Sequence, residues 1–247
     1  MVEEAQIPTK ERVNEPQMRK PRNDTRERFI DLSHTIEHGL VTYKGLPAPI
    51  VCDYLSRENS KKIYEEGTQF QIGKIEMVTN TGTYIDCPFH RFENGKDLSE
   101  IPLDSFTDLD AMVISVPFSQ TLEITADILK NNGINNTAVL IHTGWDKHWN
   151  TDCYYENHPF LTACAANYLK DCGVTLVGID SHNIDNTSGN SRPVHTILLG
   201  ADILIVEHLC NLNALPKEGF TFSAIPPKFK GVGSFPVRAM AKLKFNS

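Results

Sequence analysis

The sequence predicts an α/β domain built on a mixed sheet, with more strand than helix. Three observations lead there. Continuous apolar runs, the kind that fill a sheet covered on both faces, recur at 111–116, 138–142, 174–180 and 201–207. Helical spacing occurs in two stretches, 122–131 and 162–172. No linker, repeat or low-complexity tract divides residues 29–247, so a single domain follows an N-terminal extension of residues 1–28.

Taken in order, residues 1–28 mix both charges with Pro8, Pro16 and Pro21, which suits a loose extension or an arm laid on a neighbouring subunit. Phe29 to Leu32 read as a short strand, followed by Ser33, His34 and a turn. Residues 67–79 alternate apolar and polar, as in a strand open to solvent on one face. Asn80 to Thr83 break that pattern, and Gly82 permits a sharp turn. The helix expected at 162–172 stops at Gly173, which can supply a left-handed cap. Glu207 stands at the end of the last apolar run. Beyond it, Pro226, Pro227 and Pro236 punctuate short β-like stretches in the tail.

Composition narrows the function classes. The 247 residues carry 24 Lys and Arg against 31 Asp and Glu, a net charge of −7, which argues against a nucleic-acid partner. No apolar run is long enough to span a membrane. The N-terminus lacks the apolar core of a secretory signal, so a cytoplasmic location is expected. Six scattered Cys with no C-x-x-C pair read as reduced thiols.

Two clusters can carry chemistry. In the first, Asp86 and His90 lie four residues apart on a turn stiffened by Pro88, so that carboxylate and imidazole converge as metal ligands or as an acid/base pair. The alternative is a capping Asp86 and a His90 bonded to backbone. In the second, His195 follows a polar loop and Glu207 comes twelve residues later. A carboxylate at the end of an apolar strand must be satisfied by a salt bridge, donors or a metal. Together these residues suit Zn²⁺ or Mn²⁺. The loop after the 138–142 run, with Trp145, either lines a pocket for a flat substrate or packs as an ordinary loop. His34, His38, His158, His182 and His208 read as surface or core histidines. Ser181 and His182 are adjacent on extended chain and point apart, and no G-x-S-x-G elbow exists, which argues against a serine hydrolase. Gly231 and Gly233 lack the strand-to-helix context of a phosphate loop.

The first cluster, N-T-G-T-Y-I-D-C-P-F-H from Asn80 to His90, resembles the H-x-G-T-H-x-D-x-P-x-H signature of the cyclase family of metal-dependent hydrolases, which includes arylformamidases (kynurenine formamidases) and isatin hydrolases. The likeness extends over most of residues 29–243, through FIDLSHTIEHG, the GID at 178–180, HTILL at 195–199, VEHLCNL at 206–212 and FPVRAMA at 235–241. It implies a swivelling β/β/α fold, a homodimer or homotetramer, and hydrolysis of an amide, lactam or related bond in a small, aromatic metabolite. By position Asp86, His195 and Glu207 match metal ligands, and His90 matches the acid/base or a further ligand. Two signature histidines stand here as Asn80 and Tyr84. That difference leaves three outcomes: one metal ion where relatives hold two, a harder ion such as Mn²⁺ or Mg²⁺, or no metal, which leaves a binding protein or a metal-free acid/base enzyme. Tyr84 is then a phenolic donor for an oxyanion. Asn80, Phe92 and Trp145 are expected on the substrate side.

Overall fold

Side chains that alternate between two covered faces make the centre of the molecule. In the computed structural model, which describes residues 27–135 and 137–244, the described strands are β1 (Glu27–Asp31), β2 (Ile50–Leu55), β3 (Ile72–Glu76), β4 (Tyr84–Asp86), β5 (Leu109–Ser115), β6 (Glu123–Ile124), β7 (Ala138–His142), β8 (Phe160–Leu161), β9 (Leu176–Ile179), β10 (Leu204–Glu207), β11 (Phe220–Ser223), β12 (Ser234–Pro236) and β13 (Met240–Lys244). The helices are α1 (Arg57–Ser60), α2 (Ala126–Lys130), α3 (Ala163–Asp171) and α4 (Pro193–Leu199). Nearly all of the N-terminal extension lies outside the described residues. No described helix is long and apolar enough to cross a membrane.

Nine strands form one sheet in the order β1-β13-β11-β5-β7-β9-β10-β4-β12. The four apolar runs supply its parallel centre, β5, β7, β9 and β10. Strands on either side join antiparallel, so the sheet is mixed as expected. Helices α2, α3 and α4 each connect two parallel strands and pack on one face, where Met112, Val139, Ile141, Val177 and Ile205 meet Leu129, Ala165, Leu169, Val194 and Leu198. Residues one position away, Ala111, Leu140, Leu176 and Val206, point to the other face. There the outer strands cover them with Ile85, Phe222, Ala241 and Leu243, so the sheet curls around a core of its own side chains. Each large apolar side chain buried this way is worth about 1.5–3 kcal/mol.

Four details depart from the sequence pattern or complete it. The helix expected at 122–131 forms only over Ala126–Lys130, because Glu123 and Ile124 pair instead with Phe160 and Leu161. Helix α3 is capped by Thr162, whose hydroxyl accepts from the Ala165 amide, and Gly173 follows it with φ +74°. Helix α4 gave no periodic signal because it is short, and Pro193 in its first turn is the mark it left. The 67–79 stretch is open on both faces: β2 and β3 form a separate hairpin arm, with Ile50, Val51, Tyr54, Ile72 and Ile75 exposed.

One close approach positions the site described below. The Gly233 backbone lies against the turn at Pro88–His90, and a Cβ there would sit 2.4 Å from the His90 nitrogen and 2.5 Å from its Cα. Backbone cannot yield as a flexible side chain can. Gly233→Ala is therefore expected to cost about 1–3 kcal/mol and several degrees of Tm. Gly189→Ala, where the added methyl meets open space, leaves Tm nearly unchanged. Thermal unfolding of both variants checks the contrast.

Candidate active site

Strand β4 is the hinge of the site. Its period of two sends Ile85 into the core and turns Tyr84 and Asp86 the other way. It lies between β10 and β12, with Glu207 registered against Tyr84 and Ser234 against Asp86. The chain then turns at Pro88–His90, which returns His90 Nδ1 to 3.7 Å from Asp86 Oδ1. Ser234 joins the two residues: its hydroxyl donates to Asp86 Oδ1 and accepts from His90 Nδ1 at 2.7 Å. Ser234 thus engages His90 through Nδ1, and Nε2 is the ring nitrogen it leaves unengaged.

His195 arrives from the other side, on α4. Asp185 accepts from the amides of Val194 and His195 at 2.8 and 3.0 Å and from His195 Nδ1 at 2.7 Å. One carboxylate thus anchors the first turn of the helix and fixes the imidazole. His195 Nε2 then faces Asp86 Oδ2 at 3.6 Å and Glu207 Oε1 at 3.7 Å. Burial disfavours charge on His195, but the surrounding carboxylates of Asp185, Asp86 and Glu207 outweigh it and push the pKa up to about 10.

Glu207 is fully buried and heavily bonded. Its Oε1 accepts from the Ile184 amide at 2.7 Å, and its Oε2 accepts from the hydroxyls of Tyr84 and Tyr43. Burial pushes its pKa up to about 7 despite these donors and His195. Burial beside Glu207 holds both phenols well above their usual range, so they remain neutral donors. Asp86 differs from its neighbours. It is fully buried, yet its Oδ2 has no hydrogen-bond partner among the described residues. An orphaned carboxylate oxygen in such a place is expensive unless a cation meets it.

The donor set fits a divalent ion. Ligands about 2.0–2.2 Å from a tetrahedral ion are about 3.3–3.6 Å apart, close to the separations of Asp86 Oδ2 and Glu207 Oε1 from His195 Nε2. His90 also offers a nitrogen within 4.8 Å of ligand atoms of Asp86 and His195. The four site residues expected from the sequence are therefore brought together.

Above them opens a cavity of about 790 Å³, with Asn80, Tyr84, His90 and His195 in its lining. Tyr84 is in place, but its hydroxyl is engaged by Glu207. Phe92 and Trp145 are not at the cavity. Phe92 packs toward Gly200 on the helix side of the sheet. Trp145 is buried and donates to the Tyr154 carbonyl at 3.0 Å, in a loop pinned by Asp180 through the Thr143 and Gly144 amides. Ordinary loop packing is what that segment does. Ser181 is likewise structural, donating to the Pro159 carbonyl at 2.7 Å.

Sequence reasoning missed Tyr43, Asp185 and Ser234. Asp185 carried a faint signal, an acid shortly before a proline-led helix. Tyr43 and Ser234 carried none, because their partners lie 164 and 148 residues away. The core histidines form a block behind the site: His208 bonds Tyr154 Oη at 2.8 Å, and His182 tilts on Tyr43. His34 stacks on Trp149 with ring centroids 4.0 Å apart.

Comparisons with known proteins bear on the family and the fold. A family model described as putative cyclase matches residues 30–186. The kynurenine formamidase of Geobacillus thermodenitrificans is 30% identical over 213 residues, covering 85% of this chain and 95% of its own. That of Salinibacter ruber is 27% identical, covering 87% of this chain and 97% of its own. Among solved structures, isatin hydrolase A from Labrenzia aggregata matches with a TM-score of 0.76 at 23% identity, over 89% of this chain and 94% of that one. A predicted metal-dependent hydrolase from Bacillus stearothermophilus matches with a TM-score of 0.69 at 26% identity, over 87% and 98%.

Burial lowers the His34 pKa from 6.5 to about 4, and His34 Nε2 has no partner among the described residues. The unfolded chain takes up this proton below about pH 6.5 while the folded chain refuses it until about pH 4, so His34 costs stability as pH falls through that window. His34→Phe keeps the stack and removes the proton. The Tm difference between variant and wild type is expected to move in the variant's favour as pH drops from 7.5 to 5, in a melting series across that range.

Proposed function

The chain belongs to the putative cyclase family, and from that premise we propose that it is a metal-dependent hydrolase of an amide, lactam or related C–N bond in a small molecule, arylformamidase-like in its chemistry. One observation carries the reading beyond family membership: the orphaned Asp86 Oδ2 at 3.6 Å from His195 Nε2. Asp86, His195 and Glu207 would hold a single divalent ion, Zn²⁺ or Mn²⁺, with His90 beside it, since its ligand nitrogen lies within 4.8 Å of ligand atoms of Asp86 and His195. Such an ion supplies Lewis acidity, polarising a carbonyl and making water a nucleophile near neutral pH.

The chain's own residues do the rest. His90 lines the cavity with its side chain 35% exposed, and its Nδ1 is engaged by Ser234. Nε2 is the free base that takes a proton from water and returns it to the leaving nitrogen. Asp185, bonded at Nδ1, orients His195 so that Nε2 is the nitrogen that would be offered to the ion. Tyr84 and Tyr43 position Glu207 through its Oε2. A phenol in that place donates a proton where an imidazole would offer a lone pair, which supports one ion instead of two. The aromatic ring of the substrate finds apolar cover from Leu46 and Ile197 in the cavity lining.

The chain also assembles with a second copy. An isolated two-stranded hairpin is marginal by itself, and the β2–β3 arm exposes Ile50, Ile72, Ile75 and Tyr54, the last at 78%. Apolar surface of this kind calls for cover. Light scattering is expected to give a dimer or tetramer, and Ile75→Lys to shift it toward monomer.

Elemental analysis of purified protein is expected to give about one divalent ion per chain, and Asp86→Asn to remove it. His90→Ala separates the two roles open to that histidine. It is expected to keep the ion and lower kcat about 10²–10⁴-fold on an aryl formamide. Loss of the ion in His90→Ala would make it a ligand instead.

A further inference from the structure

The chain carries a net charge of −7, yet among the described residues its candidate active-site cavity is lined without a single Asp or Glu. Two arginines, Arg91 and Arg192, stand in that lining. Asp86 and Glu207 lie fully buried beneath it. Neither arginine forms an ion pair among the described residues; the ion pairs that Arg and Lys make lie elsewhere on the surface.

The two arginines are held differently. Arg192 turns inward along its own loop, and its Nη1 donates to the carbonyls of Asn186, Gly189 and Ser191 at 3.3, 2.8 and 2.7 Å. Its task is to hold the loop. Arg91 is exposed and makes one bond, from Nε to Thr196 Oγ1 at 3.1 Å, and that hydroxyl in turn donates to the Arg192 carbonyl at 2.8 Å. Together with the Phe92 ring, whose centroid lies 5.6 Å from Arg91 Cζ, this bond orients the guanidinium plane and leaves both Nη groups without a hydrogen-bond partner among the described residues. A fixed planar fork with two open donors is the geometry that pairs with a carboxylate. Its place in the chain sets its reach: Arg91 directly follows His90, and Thr196 directly follows His195.

We propose that Arg91 is a specificity residue that binds a carboxylate on the substrate, so that the molecule hydrolysed is a small carboxylic acid bearing the amide or lactam. The proposal rests on the hydrolase reading above but tests separately from it. Arg91 selects the substrate by an interaction made away from the bond that breaks. A neutral amide forfeits that interaction and leaves the cavity's positive charge unbalanced.

The test uses two matched pairs of compounds on the metal-loaded protein. For binding, 2-aminobenzoate and aniline are titrated by calorimetry into wild type, Arg91→Gln and Arg91→Lys. Wild type is expected to prefer the carboxylate by about 10–100-fold, Arg91→Gln to lose the preference, and Arg91→Lys to recover part of it. For turnover, 2-formamidobenzoate and formanilide are compared. In Arg91→Gln, kcat/KM for the acid is expected to fall at least tenfold further than for the neutral amide, chiefly through KM. Equal binding of the acid and the neutral amine by wild type, or an equal loss for both in Arg91→Gln, overturns the proposal. A binding preference without hydrolysis of either amide keeps the carboxylate subsite and overturns the hydrolase reading. Hydrolysis of both amides without a preference does the reverse.

Discussion

Three carboxylates, those of Asp86, Asp185 and Glu207, lie buried around one imidazole, and the need to balance them governs the rest of the site. Buried charge is tolerated when donors or counter-charges surround it. Asp185 is met by two helix amides and the His195 ring. Glu207 is met by a backbone amide and two phenols. Asp86 has Ser234 on one oxygen and, among the described residues, no hydrogen bond on the other, which faces His195 Nε2 at 3.6 Å. The balance is therefore complete everywhere except at one point, and that point faces His195. Strand order, the turn at Pro88 and the short helix α4 all serve to bring those groups to it.

Much of this was legible in the sequence, and the physics explains the division. Continuous apolar runs mark strands covered on both faces, so β5, β7, β9 and β10 stood out. Asp86 and His90 stood out because a stiff turn places residues four apart on one side. What could not be read were partners whose pairing depends on sheet order. Ser234 meets Asp86 only because β12 pairs with β4, and Tyr43 reaches Glu207 from the long connection between β1 and β2. Phe92 and Trp145 show the opposite limit. An aromatic residue close to a motif in sequence can point to either side of the chain, and both of these serve packing. The hairpin arm follows the same logic, since alternation says that one face differs from the other but not that a face is covered by its own chain.

Replacing two signature histidines by Asn80 and Tyr84 changes what the site offers without emptying it. The phenol of Tyr84 fills its place with a donor, and Tyr43 adds a second from a distant segment. Both act on the same oxygen of Glu207. The result is a carboxylate held through Oε2 by phenol protons and through Oε1 by the Ile184 amide, with Oε1 also 3.7 Å from His195 Nε2. Behind it, buried imidazoles and aromatic rings pack edge to face, which keeps that wall apolar and rigid.

The segments that meet at Asp86 also set an order of events. Ser234, which bonds both Asp86 and His90, lies on β12, and only β13 follows it among the described strands. A nascent chain leaves the ribosome from its N-terminus. Asp86, His90, His195 and Glu207 are therefore all synthesised before the strand that holds the first two in register. Any ion held there would meet its final geometry only late in biogenesis, and a chain truncated before β12 keeps these four residues but not the bond that joins Asp86 to His90.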